Sequence, residues 1–245
     1  MSSKIIIFAN TKYLEKCKNI LLSFHRLNID NYLFLCMDNK TFIELPTKNK
    51  RLSIIEFEDS WNGKKKLWIE RVKILSRILH EEEHDIIHVD ADTEWLKNPI
   101  SLFNDNSFDM YFTCGLNYPD GVFDKWKFVL RGGFFYLRNN EFVKSFTKKW
   151  ITYVEKYTDD QVALNIMIDN MGVKWEIPDD KYYIRNYLHS NGNIYDIMYC
   201  KDTIKGTIDK HRICVLSAFD FPRLLTGNDA YVLDLYYQSE YILSR

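Results

Sequence analysis

The stretch Ile86-Ile-His-Val-Asp-Ala-Asp-Thr-Glu-Trp-Leu-Lys-Asn-Pro99 decides how this chain is read. With Asp85 before it, the apolar opening has the length and texture of a strand buried on both faces. The run ends in Asp90-Ala91-Asp92, and side chains at i and i+2 of an extended chain lie on the same side. Two carboxylates converging at the end of a buried strand repel each other unless a cation sits between them. Oxygen ligands suit Mg²⁺ or Mn²⁺, with substrate phosphate oxygens completing the shell. A plain aspartate turn would account for the two acids. It leaves unexplained the apolar strand before them and the Trp95-Leu96-x-x-Pro99 that follows.

Working outward, Lys4 to Ala9 reads as a central parallel strand closed by Asn10-Thr11, with a helix from about Lys12 to Arg26. Tyr32 to Met37 is a second strand, closed by Asp38-Asn39, and Arg51 to Phe57 a third. Lys65 to His80 is an amphipathic helix that delivers the chain to the strand Asp85–Asp90. Strands alternating with helices predict an α/β fold: a Rossmann-like, mostly parallel central sheet flanked by helices. Beyond residue 100, strands are expected at Phe108–Cys114 and Gly133–Arg138, and helices at Asn140–Lys156 and Gln161–Asn170. From Asp179 turns and short aromatic segments dominate. With no repeat and no linker, residues 1–245 are expected to form one domain.

Apolar residues make up 46% of the 245 and aromatics 16%, which excludes a disordered chain. The formal charge of −1 lacks the basic surplus of a nucleic-acid binder. Cys17, Cys36, Cys114, Cys200 and Cys214 have no paired spacing, which fits reduced thiols. No run is apolar enough to span a bilayer, and Ile5–Ala9 is too short for a signal sequence. A cytoplasmic protein is expected.

The Asp90-x-Asp92 strand end resembles that of GT-A glycosyltransferases, especially the nucleotide-diphospho-sugar transferases around families 8 and 77. Three further stretches follow the same pattern in the same order. Ile69-Glu-Arg-Val-Lys-Ile-Leu75 resembles the helix before the motif, whose cation reaches the donor diphosphate, with Arg71 and Lys73 at the matching positions. Arg131-Gly-Gly-Phe-Phe-Tyr-Leu-Arg138 resembles the strand lining the sugar pocket, which assigns Arg131, Gly132 and Gly133. Asp159-Asp-Gln-Val-Ala-Leu-Asn165 resembles the segment that contacts the transferred sugar, and Asp160 and Gln161 carry that role. Residues 1–100 then correspond to the nucleotide-binding half and 101–245 to the sugar and acceptor half. Asn10, Thr11 and Asp38 fall where the resembled fold holds the nucleoside, and Ala91 lies between the metal-binding aspartates.

The resemblance implies transfer of a sugar from a nucleotide-diphosphate donor, a UDP-sugar first, to a hydroxyl of a glycan or protein. It implies dependence on Mn²⁺ or Mg²⁺ and retention of anomeric configuration. One departure concerns the metal. The histidine that related enzymes supply late in the chain has no clean counterpart in Ile213–Phe219, and His189 and His211 match poorly. Bland readings stand beside these. Lys73 and Arg71 would serve as solvated helix charges, Gly132-Gly133 as a bulge, and Asp159-Asp160 as a helix cap. A nucleotidyltransferase is the first rival, disfavoured because Phe8-Ala-Asn-Thr-Lys12 contains no glycine. A degenerate GT-A domain kept for binding is the second.

Overall fold

The computed structural model describes residues 3–55, 61–95, 98–104, 107–115, 118–178, 182–188, 194–200, 203–216 and 223–225. The chain opens with β1 (Ser3–Ala9), α1 (Leu14–Arg26), β2 (Tyr32–Cys36), α2 (Asn39–Glu44), β3 (Lys50–Leu52), α3 (Trp61–Glu81), β4 (Asp85–Val89) and β5 (Thr93–Trp95). It continues with β6 (Met110–Gly115), α4 (Asp120–Trp126), β7 (Val129–Leu137), α5 (Glu141–Tyr157) and α6 (Asp160–Asn170). Six strands follow: β8 (Lys174–Glu176), β9 (Tyr182–Leu188), β10 (Ile194–Cys200), β11 (Ile204–Ile208), β12 (His211–Leu216) and β13 (Arg223–Leu225).

Nine strands form the central sheet, in the order β3-β2-β1-β4-β7-β6-β12-β11-β8. β3, β2, β1 and β4 are mutually parallel, and β7 and β11 are antiparallel to their neighbours on both sides. β12 lies parallel to β6, so seven of the nine strands share one direction. The sheet is therefore mostly parallel, as the alternation of elements predicts. Ile5, Ile6 and Ile7 in β1 are all fully buried, because α/β sheets are covered on both faces. Ile6 and Phe8 join the core beneath α3, α5 and α6, whereas Ile5, Ile7 and Ala9 join the core beneath α1. Opposite pointing of successive strand residues produces this division.

The structure corrects two details of the later chain. The third strand is confined to Lys50–Leu52, and residues 56 and 57 lie outside the described segments. The aromatic region after residue 179 is not merely turns. It returns β11 and β12 to the main sheet, with β12 filling the place beside β6. Those strands are short and follow no helix, so sequence periodicity alone leaves them indistinct. Cys17, Cys36, Cys114 and Cys214 are buried and form no disulfide, and burial pushes the Cys17 thiol up to about 12, which keeps it protonated and unreactive. No helix among the described residues is long and apolar enough to cross a membrane.

α5 closes at Thr158, whose φ of 57° places a β-branched residue in the left-handed region. The next residue, Asp159, caps α6 by accepting from Val162 N at 2.9 Å. This sharp junction delivers Asp160 to the first turn of α6, facing β7.

At the far edge of the sheet, Gly206 in β11 lies under the indole of Trp175 in β8. A Cβ at 206 would come within 2.3 Å of Trp175 Cζ3 and 2.6 Å of Cε3. Trp175 packs in turn against Trp126 and Phe128, so its ring has little freedom to withdraw. Gly206→Ala should lower stability by about 1–3 kcal/mol, read as a lower urea midpoint with an unchanged slope. An unaltered midpoint would mean that this edge repacks without cost.

Candidate active site

The strand order 3-2-1-4 reverses between β1 and β4, and in open α/β sheets ligands bind outside the carboxyl ends of strands at such a point. A cleft of about 260 Å³ opens there. Phe8 and Asn10 from the end of β1, Tyr13 just beyond, and His88 to Asp92 from the end of β4 line it, and α3 contributes Lys64, Leu67, Trp68 and Arg71. A second cavity of about 210 Å³ adjoins it, lined by Trp68, Arg71, Asp90, Gly132, Gly133, Asp159, Asp160 and Gln161. Trp68, Arg71 and Asp90 belong to both.

Arg71 sits at that junction, 9% exposed. Its Nη1 donates to Asp90 Oδ1 at 2.8 Å, its Nε donates to Asp160 Oδ2 at 2.6 Å, and Nη2 donates to the same Oδ2. Burial alone would favour the neutral guanidine, but the carboxylates of Asp160 and Asp90 outweigh it and hold the proton more firmly than usual. Asp160, 3% exposed, responds the other way. Burial pushes its carboxyl up to about 6 against the pull of Arg71. A carboxyl that titrates at about 6 is ionised at neutral pH, and Arg71 stays charged, so the pair is ionic there. Arg71 is thus a brace between two carboxylates, rather than a lone cation awaiting phosphate.

His88 is fully buried beside this pair, and burial keeps its imidazole below the ordinary range, hence neutral. Nδ1 lies 3.2 Å from Ile6 O, an acceptor, so Nδ1 carries the proton. Nε2 is left 3.6 Å from Asp90 Oδ1 without a hydrogen-bond partner.

The β7 side of the cavity is a bulge. Phe112 pairs with Phe135 and Cys114 with Leu130, so β7 carries the longer path between the two rungs. Within it Gly133 O accepts from Asp90 N at 2.9 Å, and Gly132 N donates to Gln161 Oε1 at 3.2 Å. Gln161 Nε2 donates to Tyr118 O at 2.9 Å, so one amide ties the β7 bulge to the segment at Tyr118. Asn165, fully buried, accepts from Leu130 N and donates to Leu130 O, both at 2.8 Å, strapping α6 to β7.

Of the residues expected from sequence, Asn10, Arg71, Asp90, Ala91, Asp92, Gly132, Gly133, Asp160 and Gln161 line one or both cavities. Four do not. Lys73 lies two positions beyond Arg71, on another face of α3, with Nζ 2.8 Å from Glu155 Oε1. Arg131 is half-buried in β7 and lines neither cavity. Asp38 caps α2 and accepts from Thr41 N at 2.7 Å, Thr41 Oγ1 at 3.0 Å, Thr11 N at 2.8 Å and Thr11 Oγ1 at 2.7 Å. Burial raises its pKa, but those four hydrogen bonds outweigh it and hold the carboxyl below the usual range. Asp38 and Thr11 therefore form a strut that fixes the loop after β1. His211 stacks on Phe142 beside Asp109, at the amino end of β6 and so at the sheet edge opposite Asp90. His189 lies outside the described residues.

Sequence reading missed Phe8, Tyr13, Trp68 and Lys64. The signal for the last two was present, since 64, 68 and 71 fall on one helical face. Among the described residues no group of three or more His, Cys, Asp or Glu side chains gathers to hold a metal. Asp90 and Asp92 offer an all-oxygen, open set, which fits Mg²⁺ or Mn²⁺ only when a substrate supplies further oxygens.

A model of the family described as nucleotide-diphospho-sugar transferase matches residues 27–200. Among solved structures the chain is similar to the galactosyltransferase LgtC in complex with donor and acceptor sugar analogues. The TM-score is 0.50 at 14% identity, over 66% of this chain and 69% of that one. No curated protein matches.

The Arg71 brace generates a pH-dependent prediction. Arg71→Met leaves Asp160 buried without its cation, and breaking such a pair costs about 3–5 kcal/mol. With Arg71 in place the folded pKa of Asp160 is already about 6 against an ordinary 3.8, and removing the cation raises it further, so the ionised form disfavours folding and the penalty grows as pH rises above the ordinary value. The urea midpoint of Arg71→Met should fall sharply at pH 7.5 and recover much of the loss at pH 5.5. A loss of equal size at both pH values would show that lost packing, not the buried carboxylate, dominates.

Proposed function

The chain belongs to the nucleotide-diphospho-sugar transferase family and has the GT-A fold, and from that premise we propose a divalent-metal-dependent enzyme using a UDP-sugar. The observation that carries this reading is the position of Asp90 and Asp92. They line one cleft at the switch point of the sheet, and Asp90 also lines the adjoining cavity. A nucleoside enters between Asn10, Tyr13 and Phe8. Its diphosphate lies at the two aspartates, and its sugar extends past Trp68 into the cavity floored by Gly132, Gly133, Asp160 and Gln161.

Asp90 and Asp92 would hold Mn²⁺ or Mg²⁺. Such an ion neutralises charge on the departing diphosphate. The chain's own residues do the positioning. Arg71 fixes the carboxylates of Asp90 and Asp160 relative to each other, and Gln161 holds the Gly132 backbone against α6. Gly132 lies against α6, where a Cβ would reach van der Waals contact with Asp160 Oδ1 and Gln161 Cβ at 3.4 Å. Trp68 covers the junction of the cavities. Groups fixed before substrate arrives stabilise developing charge without reorganising. The acceptor is a hydroxyl of a glycan or protein, and likeness to families 8 and 77 favours retention at the anomeric carbon.

The test begins with binding. By calorimetry, UDP with Mn²⁺ should bind at least tenfold more tightly than ADP or GDP, a difference of about 1.4 kcal/mol. Asp92→Ala should abolish the Mn²⁺-dependent part and leave thermal stability near the parent's. Asp90→Ala should abolish it too, but with a stability loss, because Arg71 loses a partner at 2.8 Å. Equal affinity for the three diphosphates would remove the uracil assignment. Mn²⁺-dependent binding that survives Asp92→Ala would remove the metal assignment.

A further inference from the structure

α3 presents Lys64, Leu67, Trp68 and Arg71 to the cleft, a stripe at helical spacing. Two of the four are cations, in opposite conditions. Arg71 is buried and shared by two carboxylates. Lys64 is exposed, at the cleft wall about 10 Å along the helix axis from Arg71 by the 1.5 Å rise. It has no ion-pair or hydrogen-bond partner among the described residues, whereas the adjacent Lys65 and Lys66 do have partners.

Charge balance gives that difference a meaning. Asp90, Asp92, Asp159 and Asp160 set four negative charges around the cavities against the single buried positive charge of Arg71. A divalent cation still leaves this set one negative charge away from neutrality. The diphosphate of a nucleotide-sugar then adds two more negative charges, and the nucleoside diphosphate product carries still more. In a cleft walled by Phe8, Leu67 and Trp68, uncompensated charge is poorly screened. Arg71 cannot turn to meet it without leaving Asp160 buried and unpaired.

Resting on the donor reading above, we propose that Lys64 is the phosphate-binding cation of this enzyme. Its ammonium contacts the diphosphate of the donor and, more strongly, that of the nucleoside diphosphate product. A point charge on a flexible four-carbon stem can follow the diphosphate as it moves, which a braced guanidinium cannot. Arg71 fixes the acids, Lys64 meets the ligand, and the helical repeat sets both on one wall.

The experiment titrates Mn²⁺ with inorganic pyrophosphate, and Mn²⁺ with UDP, into the parent, Lys64→Ala, Lys64→Arg and Lys66→Ala. Lys66 is exposed on the same helix but lines neither cavity, so it controls for general loss of charge. Lys64→Ala should weaken both ligands at least tenfold at low salt, less at high salt, with an unchanged melting temperature. Lys64→Arg should recover most of the loss, and Lys66→Ala should stay within twofold. Parental affinity in Lys64→Ala, or an equal loss in Lys66→Ala, overturns the proposal while the donor reading stands. Lys64-dependent pyrophosphate binding, in a parent that binds ADP and GDP as tightly as UDP, supports the proposal and counts against the UDP assignment. A parent that binds neither ligand overturns both.

Discussion

A buried guanidinium held between two carboxylates is the constraint on which the site depends. Arg71 comes from α3, Asp90 from the end of β4 and Asp160 from the first turn of α6. None of the three would be stable in its place alone, since an isolated buried charge is costly and removing one partner leaves the others uncompensated. Together they pin a helix, a strand end and a helix start to one point. The larger cleft and the adjoining cavity meet at that point, so one set of ionic hydrogen bonds fixes the walls of both.

Around this centre, local devices hold the remaining walls. On the β1 side, Asp38 accepts four hydrogen bonds from Thr11 and Thr41 and locks the loop bearing Asn10 and Tyr13. On the β7 side, Asn165 and Gln161 bond to the backbone of a bulge in which Gly132 lies against α6. Each uses a short polar side chain to satisfy backbone groups where the ladder or helix leaves them open. The chemistry therefore rests on elements anchored at both ends, with the sheet supplying rigidity and its carboxyl edge the opening.

That arrangement divides labour among groups that look alike in one dimension. Asp159 and Asp160 are adjacent, yet one caps α6 and the other is buried under Arg71. Arg71 and Lys73 are two residues apart, yet one faces the cleft and the other pairs with Glu155 in α5. An i to i+2 step turns a helix by roughly 200°, which separates the two roles.

The sequence by itself determined what local periodicity and backbone chemistry encode. The apolar runs within β1 and β4, the amphipathic helices, the cap at Asp159, and the carboxylates at the end of β4 all follow from residues within a few positions of one another. That sufficed for the α/β sheet and for a pair of carboxylates at its carboxyl edge. Only the tertiary structure decided which charges meet. The partners of Arg71 lie 19 and 89 residues away, and those of Asp38 include Thr11, 27 residues away. Nor does local sequence say that β12 inserts beside β6, because strand pairing is a contact between distant segments and leaves only a weak periodic trace in a six-residue run. Local preferences act through neighbouring backbone. Buried ion pairs and strand order are settled by the desolvation and packing of the whole fold.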